Sequence, residues 1–492
     1  MSNPRVLFVS SEAHPLVKTG GLADVAGALP VALKALRCDV RIMIPAYKSA
    51  LARIQSVMQD VKEIAVLDIE QADAPVRLLE TRLPGSSVRV WLVDSPAHFD
   101  RDGGPYGPTG GGDWPDNAQR FALFSRVAVA VAQGEAGLDW QPTVVHCNDW
   151  QSGLVPALLS RRTPRPATVF TIHNLSYQGL FSWETFQSLA LPQDLWSMHG
   201  MEYFGNFSFI KGGLVYSDML STVSPQYAKE ITTPQFGYGL EELLRHRGDR
   251  LVGILNGADY RQWNPTRDAY IPYPYNTYNF ADKQRNKTAL QARMGLAQNA
   301  SVPLLGMIGR LVEQKGFDLL LDALPELLRT HDLQLAVLGS GDPALEERLR
   351  AAARAHPGRV AAQFGYSEEL AHQIEAGADI FVMPSRFEPC GLNQIYSLRY
   401  GTVPVVHRTG GLVNTVVDAT PEALRAGVAT GFVFNEPSPA ALASALTRAL
   451  ASYASPRMWK LLTFQGMQQD FSWRRSAQQY LSLYRQAIQT CA

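Results

Sequence analysis

The chain has 492 residues, 46% hydrophobic and 18% charged, with Lys+Arg and Asp+Glu equal at 45 each. That composition is globular rather than disordered, and the length exceeds what one hydrophobic core organises, so two domains are expected. Zero net charge leaves no global field to gather nucleic acid or a membrane surface, which points to a small molecule or a neutral polymer as partner.

The chain begins Met1-Ser2-Asn3-Pro4-Arg5 and passes straight into a buried-strand pattern, Val6-Leu7-Phe8-Val9-Ser10. It shows no charged leader with an apolar core and no apolar run long enough for a bilayer, so a cytoplasmic protein is expected. Cys38, Cys147, Cys390 and Cys491 are far apart and lack paired spacing, which predicts reduced thiols. After the first strand comes Lys18-Thr19-Gly20-Gly21-Leu22, then apolar residues at helical spacing (Leu22, Val25, Ala26, Leu29, Leu33, Leu36), then a strand over residues 40–45. Further strands are expected at 88–93, 143–146 and 167–171, with helical patterns between several of them. Alternation of this kind predicts a mainly parallel sheet covered by helices. Residues 100–116 are rich in Gly and Pro and predict a surface loop.

His146-Cys147-Asn148-Asp149-Trp150 and Thr171-Ile172-His173-Asn174-Leu175-Ser176-Tyr177-Gln178-Gly179 each follow one of these strands. Polar groups there, beside Trp150 and Tyr177, predict a sugar pocket in which aromatic faces cover ring carbons and polar groups fix hydroxyls. The pattern breaks around residues 253–259, and the Pro-, Asn- and Tyr-rich stretch to about 278 is expected to connect two domains. A second βα series starts at 304–309, with a helix from Phe317 through Leu328 and strands at 335–338, 360–364, 380–383 and 403–406. In such sheets ligands lie outside the carboxyl ends of the strands.

Three motifs of the second half fall at those ends. In Gly309-Arg310-Leu311-Val312-Glu313-Gln314-Lys315-Gly316, Arg310 can fork onto phosphate oxygens and Lys315 adds a point charge, together offsetting a departing diphosphate. In Ser385-Arg386-Phe387-Glu388-Pro389-Cys390-Gly391-Leu392-Asn393-Gln394, Glu388 is a partly desolvated carboxylate, able to accept sugar hydroxyls and stabilise positive charge at an anomeric carbon. Arg408-Thr409-Gly410-Gly411-Leu412 repeats the Thr-Gly-Gly-Leu of residues 19–22, and both copies sit between a strand and a helix start, which suits an anion.

Three other functions fit the same residues less well. A nicotinamide dehydrogenase would share the fold class, but the turn after Ser10, Ser11-Glu12-Ala13-His14-Pro15, lacks G-x-G-x-x-G. A glucan phosphorylase would need a lysine motif for pyridoxal phosphate, and none matches. A non-catalytic glycogen-binding protein would have no need for Lys18, Arg310, Lys315 and Glu388 together. Asp100-Arg101-Asp102 matches the Asp-x-Asp of metal-dependent glycosyltransferases, but it lies in the Gly/Pro loop away from the cations, so metal-independent catalysis with no cofactor is expected.

As an ordered set, the motifs at 18–25, 173–179, 253–259, 309–316, 386–394 and 408–412, with Asp470-Phe471-Ser472-Trp473 at the end, closely resemble the bacterial glycogen synthases and plant starch synthases. The resemblance covers nearly the whole chain. It implies an α/β GT-B architecture, two Rossmann-like domains whose parallel sheets face a deep interdomain cleft, divided as 1–252 and 253–473 with the last helix, about 474–492, returning to the first domain. It implies transfer of glucose from ADP-glucose to the non-reducing 4-hydroxyl of an α-1,4-glucan with retention of configuration. Carried over by position, Lys18, Gly20 and Gly21 would face the donor diphosphate, with Arg310 and Lys315 opposite. Asp149 and His173 would serve the glucose and acceptor side, and Glu388 would be the essential carboxylate. Asp24 and Asn174 would support or touch sugar, Tyr366 would pack on adenine, and the Leu392 and Asn393 amides would cap phosphates after Cys390 and Gly391. Thr409 and Gly410 would line the opposite wall.

Overall fold

The computed structural model describes residues 3–491. Its packing separates two compact units: the chain up to Gly257 with the segment from Trp473 onward, and Ala258–Ser472.

In the first unit the strands are β1 (Arg5–Val9), β2 (Asp39–Pro45), β3 (Lys62–Leu67), β4 (Val76–Arg82), β5 (Arg89–Asp94), β6 (Val144–Asn148), β7 (Ala167–Ile172), β8 (Leu180–Phe181), β9 (Glu202–Tyr203), β10 (Asn206–Ser208), β11 (Met219–Thr222) and β12 (Leu251–Gly253). The large sheet has the order β12-β11-β7-β6-β1-β2-β5-β4-β3, and β8, β10 and β9 form a small separate sheet. The large sheet is parallel from β12 to β5, and β4 and β3 add an antiparallel edge. Parallel strands are covered on both faces and therefore run continuously apolar, and Val6, Leu7, Phe8 and Val9 are all fully buried. From β1 the chain builds outward through β2 on one side and through β6 on the other. The carboxyl ends of β1 and β6 are thus the switch point at which such sheets bind ligands.

The helix after β1 runs Gly21–Ala35 and buries Leu22, Val25, Ala26, Leu29 and Leu33. Leu36, expected inside it, caps it instead. The helix Trp473–Cys491 buries Tyr480, Leu483 and Tyr484 in the same unit. Tyr484 Oη lies 2.8 Å from His146 Nδ1, and His146 Nε2 lies 2.6 Å from Thr171 Oγ1. Burial pushes the His146 pKa down to about 3, so this link between the last helix and β6 and β7 is a neutral one.

The Gly/Pro-rich loop at 100–116 is tied to the body of the unit by an arginine. Buried Arg120 donates to the carbonyls of His98 (2.8 Å) and Pro105 (2.9 Å), and Arg101 forks onto Asp116 at 2.7 and 2.5 Å. A buried guanidinium needs partners, and here His98 O takes Nε while Pro105 O and Asn117 Oδ1 take Nη1.

The second unit contains β13 (Leu304–Ile308), β14 (Gln334–Gly339), β15 (Val360–Phe364), β16 (Ile380–Met383), β17 (Val403–His407) and β18 (Phe432–Phe434) in one parallel sheet of order β15-β14-β13-β16-β17-β18. Its switch point lies at the ends of β13 and β16. Helix Phe317–Thr330 supplies Leu320, Leu324, Leu327 and Leu328 to the core on this sheet. The stretch 258–278, expected as a connection, is packed into this unit. Trp263 stacks between His372 (3.7 Å) and Tyr396 (4.0 Å), and buried Tyr275 donates to the Tyr400 carbonyl at 2.6 Å. Trp263 and Tyr275 find burial in the second unit, and Pro and Asn shape the turns that bring them there.

Candidate active site

In the second unit the loops leaving β13 and β16 are fastened together. The Arg386 amide donates to Gln314 O (2.8 Å), Gln314 Nε2 reaches Phe387 O (3.2 Å), and Arg386 forks onto Asp318 at 2.8 and 2.6 Å. Gly316, at φ 69°, lies so close to this loop that a Cβ would stand 2.2 Å from Pro384 O. These contacts set the position of Glu388, which is 6% exposed. Its Oε2 accepts from Lys315 Nζ at 2.5 Å and from Ser385 Oγ at 2.9 Å. Its Oε1 has no hydrogen-bond partner among the described residues. One oxygen is therefore fixed by charge and hydroxyl, and the other is presented. Arg310 is exposed, and its side chain has no partner among the described residues.

The two cations expected to act alike thus differ: Lys315 is held on the carboxylate and Arg310 is open. Helix Asn393–Tyr400 begins beside them, with Gly391 at φ 71° turning the chain and Asn393 Nδ2 held by Ile308 O at 3.1 Å. The Leu392 and Asn393 amides, at the positive end of this helix, have no internal acceptor among the described residues. Cys390 is 5% exposed, and its carbonyl accepts from Gln394 Nε2 at 3.0 Å, which fits a packing position.

The second Thr-Gly-Gly-Leu supports Glu388 from behind. Thr409 is 2% exposed, Gly410 (φ 44°) has no room for a Cβ because Glu388 O would lie 1.9 Å away, and the Gly411 amide donates to Glu388 O at 3.1 Å. One amide of the expected anion-binding turn is therefore spent on the protein's own backbone. Tyr366, following β15, is 76% exposed, with its hydroxyl on Glu368.

In the first unit the loop after β1 is built around a residue that motif reading passed over. Glu12, 3% exposed, accepts the Thr19 amide at 2.5 Å and the Gly20 amide at 3.2 Å on Oε2, and the Tyr106 hydroxyl at 2.5 Å on Oε1. The Gly20 amide, expected to face a diphosphate, is engaged with this internal carboxylate. Burial raises the Glu12 pKa against those three hydrogen bonds. Lys18 Nζ pairs with Asp24 at 2.8 Å, and both side chains keep about a quarter of their surface, 29% and 23%. Position three residues beyond β1 was the available signal for Glu12. Tyr106 carried none, because only folding brings the 100–116 loop to it.

Asp149 and His173 follow β6 and β7 and do meet. Asp149 Oδ1 accepts the His173 amide at 2.7 Å and the Asn174 amide at 3.5 Å. Burial raises its pKa from 3.8 to about 7 in spite of those amides, and the nearby Glu12 adds to the rise. Its backbone, at φ 54° and ψ −178°, occupies a region that side chains rarely adopt, a form of strain concentrated at functional sites. His173 Nε2 lies 3.0 Å from Asn148 Oδ1, and that oxygen is identified because Asn148 Nδ2 donates to Val9 O and His146 O at 3.0 and 3.3 Å. Nε2 therefore carries the hydrogen and Nδ1 is the acceptor. Burial lowers the pKa to about 3, so His173 is neutral. Asn174 Oδ1 closes a turn onto Ser176 (3.1 Å to N, 2.8 Å to Oγ). Trp150 is core: 9% exposed, it packs against Phe121, Phe181 and Phe209, and Gly179 lies against its ring. Of the two aromatic faces expected for sugar, only Tyr177 is exposed, at 51%.

Among the described residues no group of three or more His, Cys, Asp or Glu is placed to hold a metal ion, and no helix is long and apolar enough to cross a membrane.

Two units of this topology, with a carboxylate–lysine pair and an open arginine at one switch point and a neutral histidine beside a strained aspartate at the other, define a two-domain glycosyltransferase of the GT-B class. Residues 5–246 match the starch synthase catalytic domain model, and residues 292–461 match that of the glycosyl transferases group 1. The chain is 56% identical over 484 residues to glycogen synthase 1 of Methylococcus capsulatus, covering 98% of this chain and 97% of the relative. It is 55% identical over 485 residues to glycogen synthase of Thioalkalivibrio sulfidiphilus, covering 98% and 100%. The solved catalytic domain of starch synthase IV from Arabidopsis thaliana, bound to ADP and acarbose, superposes with a TM-score of 0.88 at 30% identity over 99% of this chain and 100% of that one. The chain belongs to the glycogen synthase family.

Proposed function

We propose that this chain elongates an α-1,4-glucan by transferring glucose from ADP-glucose to the non-reducing 4-hydroxyl, with retention of configuration. The observation that carries the reading is the half-engaged Glu388: Oε2 is fixed by Lys315 and Ser385, and Oε1 is presented for a sugar hydroxyl. The starch synthase solved with ADP and acarbose supports this choice of nucleotide and glucan.

In the second unit, Arg310, Lys315 and the amides of Leu392 and Asn393 receive the diphosphate, and the exposed ring of Tyr366 receives the base. Glu388 orients the glucose and stabilises positive charge at its anomeric carbon. In the first unit, Asp149, His173 and Asn174 receive sugar hydroxyls, His173 accepting at Nδ1. Lys18 is available to an anion on exchanging Asp24. The bond from the anomeric carbon to the diphosphate oxygen breaks as the bond to the acceptor oxygen forms on the same face. The acceptor proton passes to the departing diphosphate.

No divalent ion is needed in this scheme, since cations and helix amides already meet the leaving charge. Asp102 of the Asp-x-Asp match is paired with Lys48 at 2.8 Å, and Arg101 is paired with Asp116. A side-by-side rate measurement on a glycogen primer tests the donor assignment. ADP-glucose is expected to outpace UDP-glucose by tenfold or more, and EDTA to leave the rate unchanged, on the order of 1.4 kcal/mol of discrimination being enough for that ratio. Equal rates with both donors, or activity lost to EDTA and restored by Mg²⁺, would overturn it.

A further inference from the structure

Given ADP-glucose as donor, with its base on Tyr366 and its diphosphate at helix Asn393–Tyr400, we propose that His372 is the positioning residue that holds those two sides in one register. The role rests on that donor reading.

His372 lies on helix Glu368–Gly377 and is 1% exposed. Its Nδ1 is 2.7 Å from Asp268 Oδ2, and that same oxygen accepts the Tyr400 hydroxyl at 2.5 Å. Its ring stacks on Trp263 at 3.7 Å and 14°, and Trp263 stacks in turn on Tyr396 at 4.0 Å and 3°. Tyr396 and Tyr400 are one turn apart on the helix whose opening amides are assigned to the diphosphate, so His372 holds that helix by two routes. Toward the base side, Glu368 Oε1 stands 3.5 Å from His372 Nε2, and Glu368 Oε2 accepts the Tyr366 hydroxyl. One buried ring therefore joins Tyr366 to the phosphate helix.

The join depends on the charge of that ring. A carboxylate can only accept, so Nδ1 carries a hydrogen toward Asp268, and a neutral ring would then turn a lone pair toward Glu368. The imidazolium offers a second N–H there, and at 3.5 Å the contact acts by charge more than by hydrogen bonding. Burial pushes the His372 pKa down, but Asp268 and Glu368 outweigh it and hold it above the usual 6.5. The pairing is thus complete below 6.5 and is lost as pH rises through the raised value.

The other groups around the ring are accounted for. The Tyr270 ring lies 4.9 Å away. Helix Ala281–Met294 packs on the same helix, with Lys283 on Ala376 O (2.9 Å) and Thr402 Oγ1 (2.7 Å) and Arg293 on Glu369 (2.6 Å). Burial raises Glu375 to about 8 and lowers Lys283 to about 7, so both titrate in the range where His372 does and the test has to separate them.

Calorimetric titration of the full chain with ADP-glucose alone, from about pH 6 to about pH 9, reads the coupling, with steady-state kinetics beside it. Wild-type affinity should fall about fivefold across that range. Glu368→Ala cuts the link at a side chain that keeps 25% of its surface, so the melting temperature should hold. Its affinity should take the weak value at every pH, the loss appearing in donor KM rather than in kcat. Glu368→Gln should bind tightly at every pH, because its amide can donate to a neutral Nε2 while its oxygen accepts from Tyr366. Glu375→Gln still accepts from the Ser397 hydroxyl and should follow the wild-type pH course. Wild-type affinity that is flat over this range, a pH response that survives Glu368→Ala, or one that disappears in Glu375→Gln would overturn the proposal. If wild type bound no ADP-glucose at any pH, the donor reading itself would fall, and this coupling with it.

Discussion

Glu388→Gln lowers kcat by about 10²–10³-fold, the range for loss of a preorganised electrostatic group, while the melting temperature stays within a few degrees. The reason lies in how the two carboxylate oxygens are used. A glutamine can still accept from Lys315 and Ser385 with its oxygen, so the contacts that fasten the loop survive. The atom it then presents outward is an NH₂, a donor where an acceptor stood, and the charge that stabilises a developing cation is gone. Lys315 keeps 22% of its side-chain surface, so it is not stranded without solvent when the charge disappears. Steady-state kinetics with ADP-glucose and glycogen, beside circular dichroism and a thermal scan, check this. Near-normal turnover in a folded variant would remove Glu388 from the chemistry.

Asp149→Asn is the second large effect, about 10²-fold or more on kcat/KM. It also carries a pH signature. The native carboxyl titrates near 7 because burial outweighs its amide hydrogen bonds, whereas its unfolded counterpart titrates near 3.8. Its stabilising contribution is therefore present below about 3.8 and is lost as pH rises through about 7, where the ionised group sits desolvated. If the ionised form is the one that orders the His173 and Asn174 amides for sugar, wild-type activity shows an acid limb near pH 7. In Asp149→Asn that limb should vanish, and its stability should overtake wild type above pH 7. Rate and thermal scans from pH 5.5 to 8.5, roughly spanning the titration, read both effects. An unchanged limb in the variant would assign it to another group.

The strand and turn pattern made both parallel sheets legible, since Val6 to Val9 and Val403 to Val406 are the apolar runs of strands buried on both faces. Placing Asp149, His173, Arg310, Lys315 and Glu388 at strand ends needed only that pattern. What the pattern could not carry was partnership. Glu12 receives the Thr19 and Gly20 amides across a turn and the hydroxyl of Tyr106 from 94 positions away. No local signal encodes that, and so the first Thr-Gly-Gly-Leu turn is fastened by a carboxylate that motif reading set aside. The second copy likewise turned out to pack on the Glu388 backbone, because only the fold shows that a Cβ at Gly410 or Gly411 would strike a carbonyl. Trp150 was misplaced for a similar reason: an aromatic at a strand end can face either solvent or core, and Phe121, Phe181 and Phe209 decide for core.

The most direct test of the transfer reaction is nuclear magnetic resonance of a mixture of this protein, maltoheptaose and ADP-glucose labelled with ¹³C at the anomeric carbon. The expected result is one α-anomeric signal of a new 1,4-linkage at the non-reducing end, growing in step with ADP and unaffected by EDTA. A β-anomeric product, free labelled glucose in place of a linkage, or a label that stays on the nucleotide would contradict retaining glucan elongation by this chain.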